Sequence, residues 1–477
     1  MAGACLAAVA AALLAGCAAG PDFVRPAAPD VPAYTAAPLP QATASAAAPL
    51  GQSQRFTPAT SVDAAWWRAF GSPRLDALVD QALRASPTLA AAEARMRQAQ
   101  ETQAAQAGST RYPTVQAGAG AQRQRTSAST AAPAASGLVT QYNAGLDIRY
   151  RLDVSGGDRR ALEALAARTD HRRFEFEGAQ LTLAGSIVSA AIQQARVAGQ
   201  IGATEEILKA QEDQLTLTRE RVRLGHVEYR ELLPLIAQLE QTRAALSSLR
   251  KQHDQTGHLL AVLAGRAPGA GGLPRFTLDD FMLPPDLSYV LPSELVRRRP
   301  DIRAAEALLQ AANAEYGVAV ASLYPRIDLS ANLASQALSA GSLFGAGSAA
   351  WGLVAQLTQP LFDAGLPARK RASLAAFDAA AGNYRSVVLE SLREVADVLR
   401  AAEHDASALK SLAAASDAAQ RSFEVVQSRY RLGAATYVEL TIAYQQWQQT
   451  RLELVSVQSQ RLLDTAALYQ ASGGPVG

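Results

Sequence analysis

Two hydrophobic periods take turns along this chain. From Tyr142 to Leu152 every second residue is apolar or aromatic: Tyr142, Ala144, Leu146, Ile148, Tyr150 and Leu152 fall on one side, and Gln141, Asn143, Gly145, Asp147, Arg149 and Arg151 on the other. A period of two sends successive side chains to opposite faces of a strand. A weaker alternation comes before it, after Tyr112-Pro113, where Val115, Ala117, Ala119 and Ala121 alternate with Gln116, Gly118, Gly120 and Gln122. The pair recurs after Tyr324-Pro325, first as Ile327, Leu329, Ala331 and Leu333, then as Trp351, Leu353, Ala355 and Leu357. The spacing predicts strands at about 113–127, 140–153, 326–337 and 350–361.

After each strand pair the period lengthens. Leu181, Ala184, Val188, Ala191 and Ala195 step by three and four, as do Phe377, Ala381, Tyr384 and Val388, followed by Val395 and Leu399. That is the rhythm of a coiled-coil seam. No proline interrupts 158–224, so a helix of roughly 100 Å is expected there at 1.5 Å per residue. Ser72-Pro73 and Ser86-Pro87 mark two shorter helix starts, with a capping residue and then proline at the first helical position. Helical hairpins are expected over 158–264 and 367–470.

The chain also repeats itself. Arg221, Leu224, Gly225, Tyr229, Glu231 and Leu232 match Arg429, Leu432, Gly433, Tyr437, Glu439 and Leu440 at a constant offset of 208 residues. Ser86-Pro87 with Glu93 parallels Arg299-Pro300 with Glu306, and Tyr112-Pro113 parallels Tyr324-Pro325. Repetition over this span indicates one architecture used twice. The expected plan is a leader over 1–16, a linker over 17–60, a first repeat over 61–265, a linker over 266–292, a second repeat over 293–470 and a tail over 471–477. Residues 18–60, rich in Pro and Ala, read as an extended tether.

Composition narrows the function classes. The 477-residue chain carries a net charge of +2, without the basic face that nucleic acid requires. Aromatics make up 6%, fewer than a compact enzyme core would use. The two cysteines, Cys5 and Cys17, lie at the N-terminus and leave no disulfide framework for the body. The apolar run ending in Leu14-Ala15-Gly16-Cys17 is too short to span a bilayer and fits a secretory leader. Leu-Ala-Gly-Cys resembles the bacterial lipobox, which implies cleavage before Cys17 and lipidation of that residue. The five histidines are scattered, and no Walker, Gly-x-Ser-x-Gly or His-Glu-x-x-His pattern occurs. The reading is therefore a non-enzyme, with no catalytic residue, no metal ligand and no cofactor.

Strands of about ten residues with one apolar and one polar face suit a membrane β-barrel with a wet lumen. Four strands cannot close one, and open edges are not tolerated in lipid, so closure calls for a homo-oligomer. The chain resembles the TolC-like outer-membrane efflux factors, and among them the NodT-type lipoproteins of resistance-nodulation-division pumps. The resemblance rests on Cys17 with Gly20-Pro21-Asp22-Phe23, Trp66-Trp67 with Phe70, Arg298-Arg299-Pro300-Asp301, Tyr324-Pro325, Gln359-Pro360-Leu361-Phe362-Asp363 and the two Arg-Leu-Gly tips.

The resemblance implies a mainly helical fold with membrane strands: a homotrimer sharing a twelve-stranded outer-membrane barrel, with a helical barrel in the periplasm. The tips would meet a periplasmic membrane-fusion adaptor and an inner-membrane resistance-nodulation-division pump. Drugs or other small toxic compounds would pass outward. The family often carries an acidic ring near the second tip; here Ile442 stands at that place, and Glu231 and Glu439 are the acids available. Two other readings stay open from sequence: the exit duct of a type I secretion system, and a periplasmic coiled-coil protein without a pore.

Overall fold

A computed structural model describes residues 19–126 and 137–473. Cys17, the leader and the last residues of the tail lie outside the described residues. The chain divides into two compact units. One gathers Met1–Pro26, Arg95–Arg173 and Ala304–Arg385; the other gathers Ala27–Ala94, Phe174–Arg303 and Ser386–Gly477.

The first unit is built on an antiparallel sheet of β2 (Thr114–Thr126), β3 (Gly137–Leu152), β5 (Arg326–Ala337) and β6 (Ala349–Thr358), in the order β2-β3-β5-β6. Its register sorts residues by polarity. One row across the sheet reads Val115, Ile148, Ala331, Leu353, and the next on that face reads Ala117, Leu146, Leu333, Trp351. On the other face Gln116, Asp147, Asn332 and Gly352 form one row, and Arg151 pairs with Asp328 at 3.2 Å. Among the described residues nothing covers the middle of the apolar face: Trp351 is 80% exposed and Leu353 75%. No helix among the described residues is long and apolar enough to cross a membrane.

Helices α1 (Pro73–Ala85) and α2 (Pro87–Arg111) precede this sheet in sequence. Then come α3 (Gly157–Arg223) and α4 (Leu232–Leu263), the short α5 (Pro292–Arg298), α6 (Pro300–Ala321), and finally α7 (Gly365–Arg431) and α8 (Tyr437–Ala471). Helices α3 and α7 each run 67 residues, about 100 Å. In the second unit the main core packs Trp66, Trp67 and Phe70 against Leu75, Val79, Leu181, Ile187, Val188 and Ile192.

Two stretches differ from the linker reading. Residues 27–60 are packed, not tethered: β1 (Arg55–Ala59) pairs in parallel with β4 (Asp286–Val290). A buried cation holds the middle of this segment. Arg461, 2% exposed, donates to the Leu50 carbonyl at 2.7 Å, to the Thr43 hydroxyl at 3.2 Å and to the Gln54 amide oxygen at 3.0 Å. A buried guanidinium needs such partners, and this strap supplies them. Residues 266–292 are likewise folded, contributing β4 and the buried Phe276 and Phe281, whose rings lie 5.7 Å apart.

Candidate functional site at the two hairpin turns

Each helical hairpin reverses at a glycine. At the first turn Gly225 takes φ +75°; its N–H donates to the Val222 carbonyl at 3.0 Å, and the His226 N–H reaches back to the Arg221 carbonyl at 2.8 Å. At the second, Gly433 takes φ +76°, with the Gly433 N–H on the Tyr430 carbonyl at 3.1 Å and the Ala434 N–H on the Arg429 carbonyl at 2.8 Å. Both are Schellman closures, which pair the last helical carbonyls through a left-handed residue.

The restarts differ. At the second turn Thr436 caps α8: its hydroxyl accepts from the Glu439 N–H at 3.2 Å, while its own N–H and hydroxyl donate to the Glu439 carboxylate at 2.6 and 2.8 Å. This is a capping box. Those backbone and hydroxyl donors hold the exposed Glu439 carboxyl below the usual range. At the first turn Glu228 stands where Thr436 stands in the second. It cannot play the hydroxyl's part, and a short 3-10 turn, Tyr229–Glu231, precedes α4. Glu231 therefore makes no capping side-chain bond; α4 starts at Leu232, the counterpart of Leu440 and so three positions later than α8 does at Tyr437. Spacing alone gave the two glutamates one role, and one cap residue separates them.

The sequence-selected residues fall into two groups. Leu224, Tyr229 and Leu432 are exposed, Leu432 at 84%. Leu232 and Leu440 are buried: Leu232 packs with Leu215 and Leu239, and Leu440 with Ile207, Phe423, Tyr430 and Tyr444. Arg429 donates to the Ala434 carbonyl at 3.0 Å and braces its own turn. Arg221 instead lies over the Tyr430 ring, 4.9 Å from its centre, a cation–π contact joining the two hairpins. Tyr437 is half-buried beside the Phe423 cluster.

Sequence reasoning missed Tyr430 and the aromatic cluster behind it. Phe423 stacks on Trp447 with centroids 5.1 Å apart and planes 2° from parallel, and Tyr444 closes the group at 5.3 Å from Phe423. The Tyr444 hydroxyl donates to the Ile207 carbonyl at 2.8 Å, and burial pushes its phenol well up from the ordinary value. The available signal was helical spacing: Phe423 to Tyr430 is two turns, and Leu440, Tyr444 and Trp447 share a face. Beside the cluster is a cavity of about 200 Å³ lined by Gln211, Gln214, Gln238, Tyr437 and Leu440 among others. Among the described residues no group of His, Cys, Asp or Glu side chains is placed to hold a metal ion.

Known proteins resemble the chain over most of its length. The chain is 31% identical to the pyoverdine export outer membrane protein OpmQ of Pseudomonas aeruginosa, over 86% of this chain and 87% of that one. It is 28% identical to outer membrane protein OprJ of the same species, over 97% and 93%. The solved structure of the outer-membrane channel OprN superposes with a TM-score of 0.86 at 27% identity, covering 96% of this chain and all of that one. A sheet sorted into apolar and polar faces, joined to two long helical hairpins, defines an outer-membrane efflux channel. The family model of the outer membrane efflux protein matches residues 78–266 and again 291–474, and the chain belongs to that family.

Proposed function

We propose that three copies of this chain close one twelve-stranded barrel in the outer membrane, and that the duct so formed is the exit of a tripartite pump for drugs or other small toxic compounds. One observation carries this reading: the sheet has an uncovered apolar face, and its outer strands β2 and β6 each pair on one side only among the described residues. Lipid tolerates the apolar face but not the unpaired edges, and copies of the same chain offer the matching edges. The two long hairpins are a duplicated unit, as the sequence repeat suggests. Their turns, at Arg221–Leu232 and Arg429–Leu440, meet a periplasmic membrane-fusion adaptor coupled to an inner-membrane resistance-nodulation-division pump. The exposed Leu224, Tyr229 and Leu432 support a docking role, since a turn that only reversed the chain would not need large apolar side chains in water. Cys17 carries the lipid anchor.

The test measures oligomer and transport in one strain. The purified protein in mild detergent should have the mass of three chains, and a deletion strain should become sensitive to pump substrates. Leu432→Ser or Glu439→Lys should leave the oligomer at wild-type level while abolishing resistance or admitting vancomycin. A monomeric mass with intact β signal sinks the shared barrel; normal resistance without leak in both variants sinks the tip role.

A further inference from the structure

The cavity beside the hairpin turns draws its wall from α3, α4, α7 and α8, and all of its lining residues belong to the second unit. Gln211 and Gln214 come from α3, Gln238 from α4, Gln427 from α7 and Gln445 from α8. Each amide offers an oxygen that accepts and an NH2 that donates. Most of the remaining wall is apolar or aromatic, with Phe423, Leu440 and Tyr444 in it, and no lining residue carries a charge.

Gln211 sets this space apart. It is 6% exposed, and neither its amide oxygen nor its amide nitrogen has a hydrogen-bond partner. Its amide approaches the Tyr444 hydroxyl without completing a bond. That hydroxyl is already engaged: it donates to the Ile207 carbonyl at 2.8 Å and accepts from the Gln448 amide at 2.7 Å. A buried amide without partners is costly, and this one borders a cavity where an incoming polar group completes it.

The chemistry of an occupant follows from the wall. Charge is disfavoured, since no ion partner lines the space. Ring surface is already fixed in place, with Phe423 held between Trp447 and Tyr444 at 5.1 and 5.3 Å. Water satisfies the amides and leaves the rings without contact; a purely apolar molecule does the reverse. An apolar cavity of about 150 Å³ holds benzene, so about 200 Å³ suits a single ring bearing one polar group. Pro234 and Gln445 are exposed at its rim and leave a way in.

We infer that this cavity binds a small uncharged aromatic molecule of the phenol class, its ring against Phe423 and Tyr444 and its hydroxyl on Gln211. Because the wall comes from both hairpins, the bound molecule bridges them, a tie in addition to the contact of Arg221 with Tyr430. The site is independent of the proposed barrel and its pump.

Fluorine NMR of the full-length protein in mild detergent tests it, with para-fluorophenol, para-fluorobenzoate and fluorobenzene as probes and empty micelles as the baseline. Para-fluorophenol should bind saturably, with a Kd of about 0.1–1 mM for so few atoms. Para-fluorobenzoate, an anion, should bind at least about tenfold more weakly. Gln211→Leu nearly keeps the volume and removes the amide; it should weaken para-fluorophenol about tenfold and leave fluorobenzene unchanged. Ala210→Phe, which fills the space, should abolish binding of both. The wild type alone gives an independent reading: in crystals grown with para-bromophenol, the anomalous signal of bromine should fall between Gln211 and Phe423. Binding no greater than to empty micelles, benzoate bound as well as phenol, equal affinity in wild type and both variants, or bromine found only elsewhere overturns the site.

Discussion

Gly433 has open space where a side chain would go, since nothing lies within 4 Å of its would-be Cβ. Its φ of +76° alone makes substitution costly. Gly433→Ala should therefore cost about 1 kcal/mol by backbone strain, without disturbing a neighbour. Glu439, a few residues on, adds a pH dependence to the same turn. Its folded carboxyl titrates below the unfolded one, so its contribution is complete above the ordinary carboxylate range. It is lost as pH falls through the depressed value. Thermal midpoints of wild type and Glu439→Gln should differ at neutral pH and converge in acid. A constant difference at every pH would show that the capping charge contributes nothing. The glycines of both turns were legible in the sequence, because a left-handed closure has a residue signature. The unlike roles of Glu231 and Glu439 were not, because they depend on Thr436 against Glu228, a difference that position matching passes over.

Among the elements, the junction of α5 and α6 shows how a short motif serves a long helix. Arg299 donates to both oxygens of Asp301, at 2.9 and 3.0 Å, to the Ala471 carbonyl at 3.1 Å and to Glu394 of α7. One guanidinium thus ties the start of α6 to the end of α8 and the side of α7. Its planar fork explains why arginine stands there, since lysine carries charge without that geometry. Arg299→Ala should cost about 2 kcal/mol or more, and Arg299→Lys should recover less than half; thermal denaturation of the detergent-solubilised protein checks both. The sequence marked Arg299-Pro300 as a helix start but gave no hint of the carbonyl of Ala471, 172 residues away. The same applies to the strap over 27–60. Its Pro and Ala content looks like a tether, and part of its order comes from Arg461, a residue that sequence pattern treats as one more polar position on α8.

For the molecule, the two faces of the sheet make opposite demands. Leu353 lies in the row with Val115, Ile148 and Ala331. Leu353→Lys should oppose membrane insertion by about 2–4 kcal/mol if the site lies at mid-bilayer, with loss of protein from the outer-membrane fraction. Gln356→Lys, three residues along on the other face and opposite Asp328, should leave membrane level unchanged. Equal effects of the two substitutions would refute the assignment of faces. This polarity was the most readable feature of the chain, because a period of two depends on nothing outside the strand itself.

If three chains share one barrel, as proposed, the four strands per chain also set a width. Twelve strands at the usual spacing, tilted by about 40°, close on a backbone circle roughly 24 Å across. Inward side chains narrow that circle, and on this reading the lining is the polar face of the sheet, with Gln, Asn, Ser and paired Arg and Asp. On the three-chain reading the strands supply no seal of their own, and the contact of Arg221 with the Tyr430 ring is one place where the two hairpins are held together.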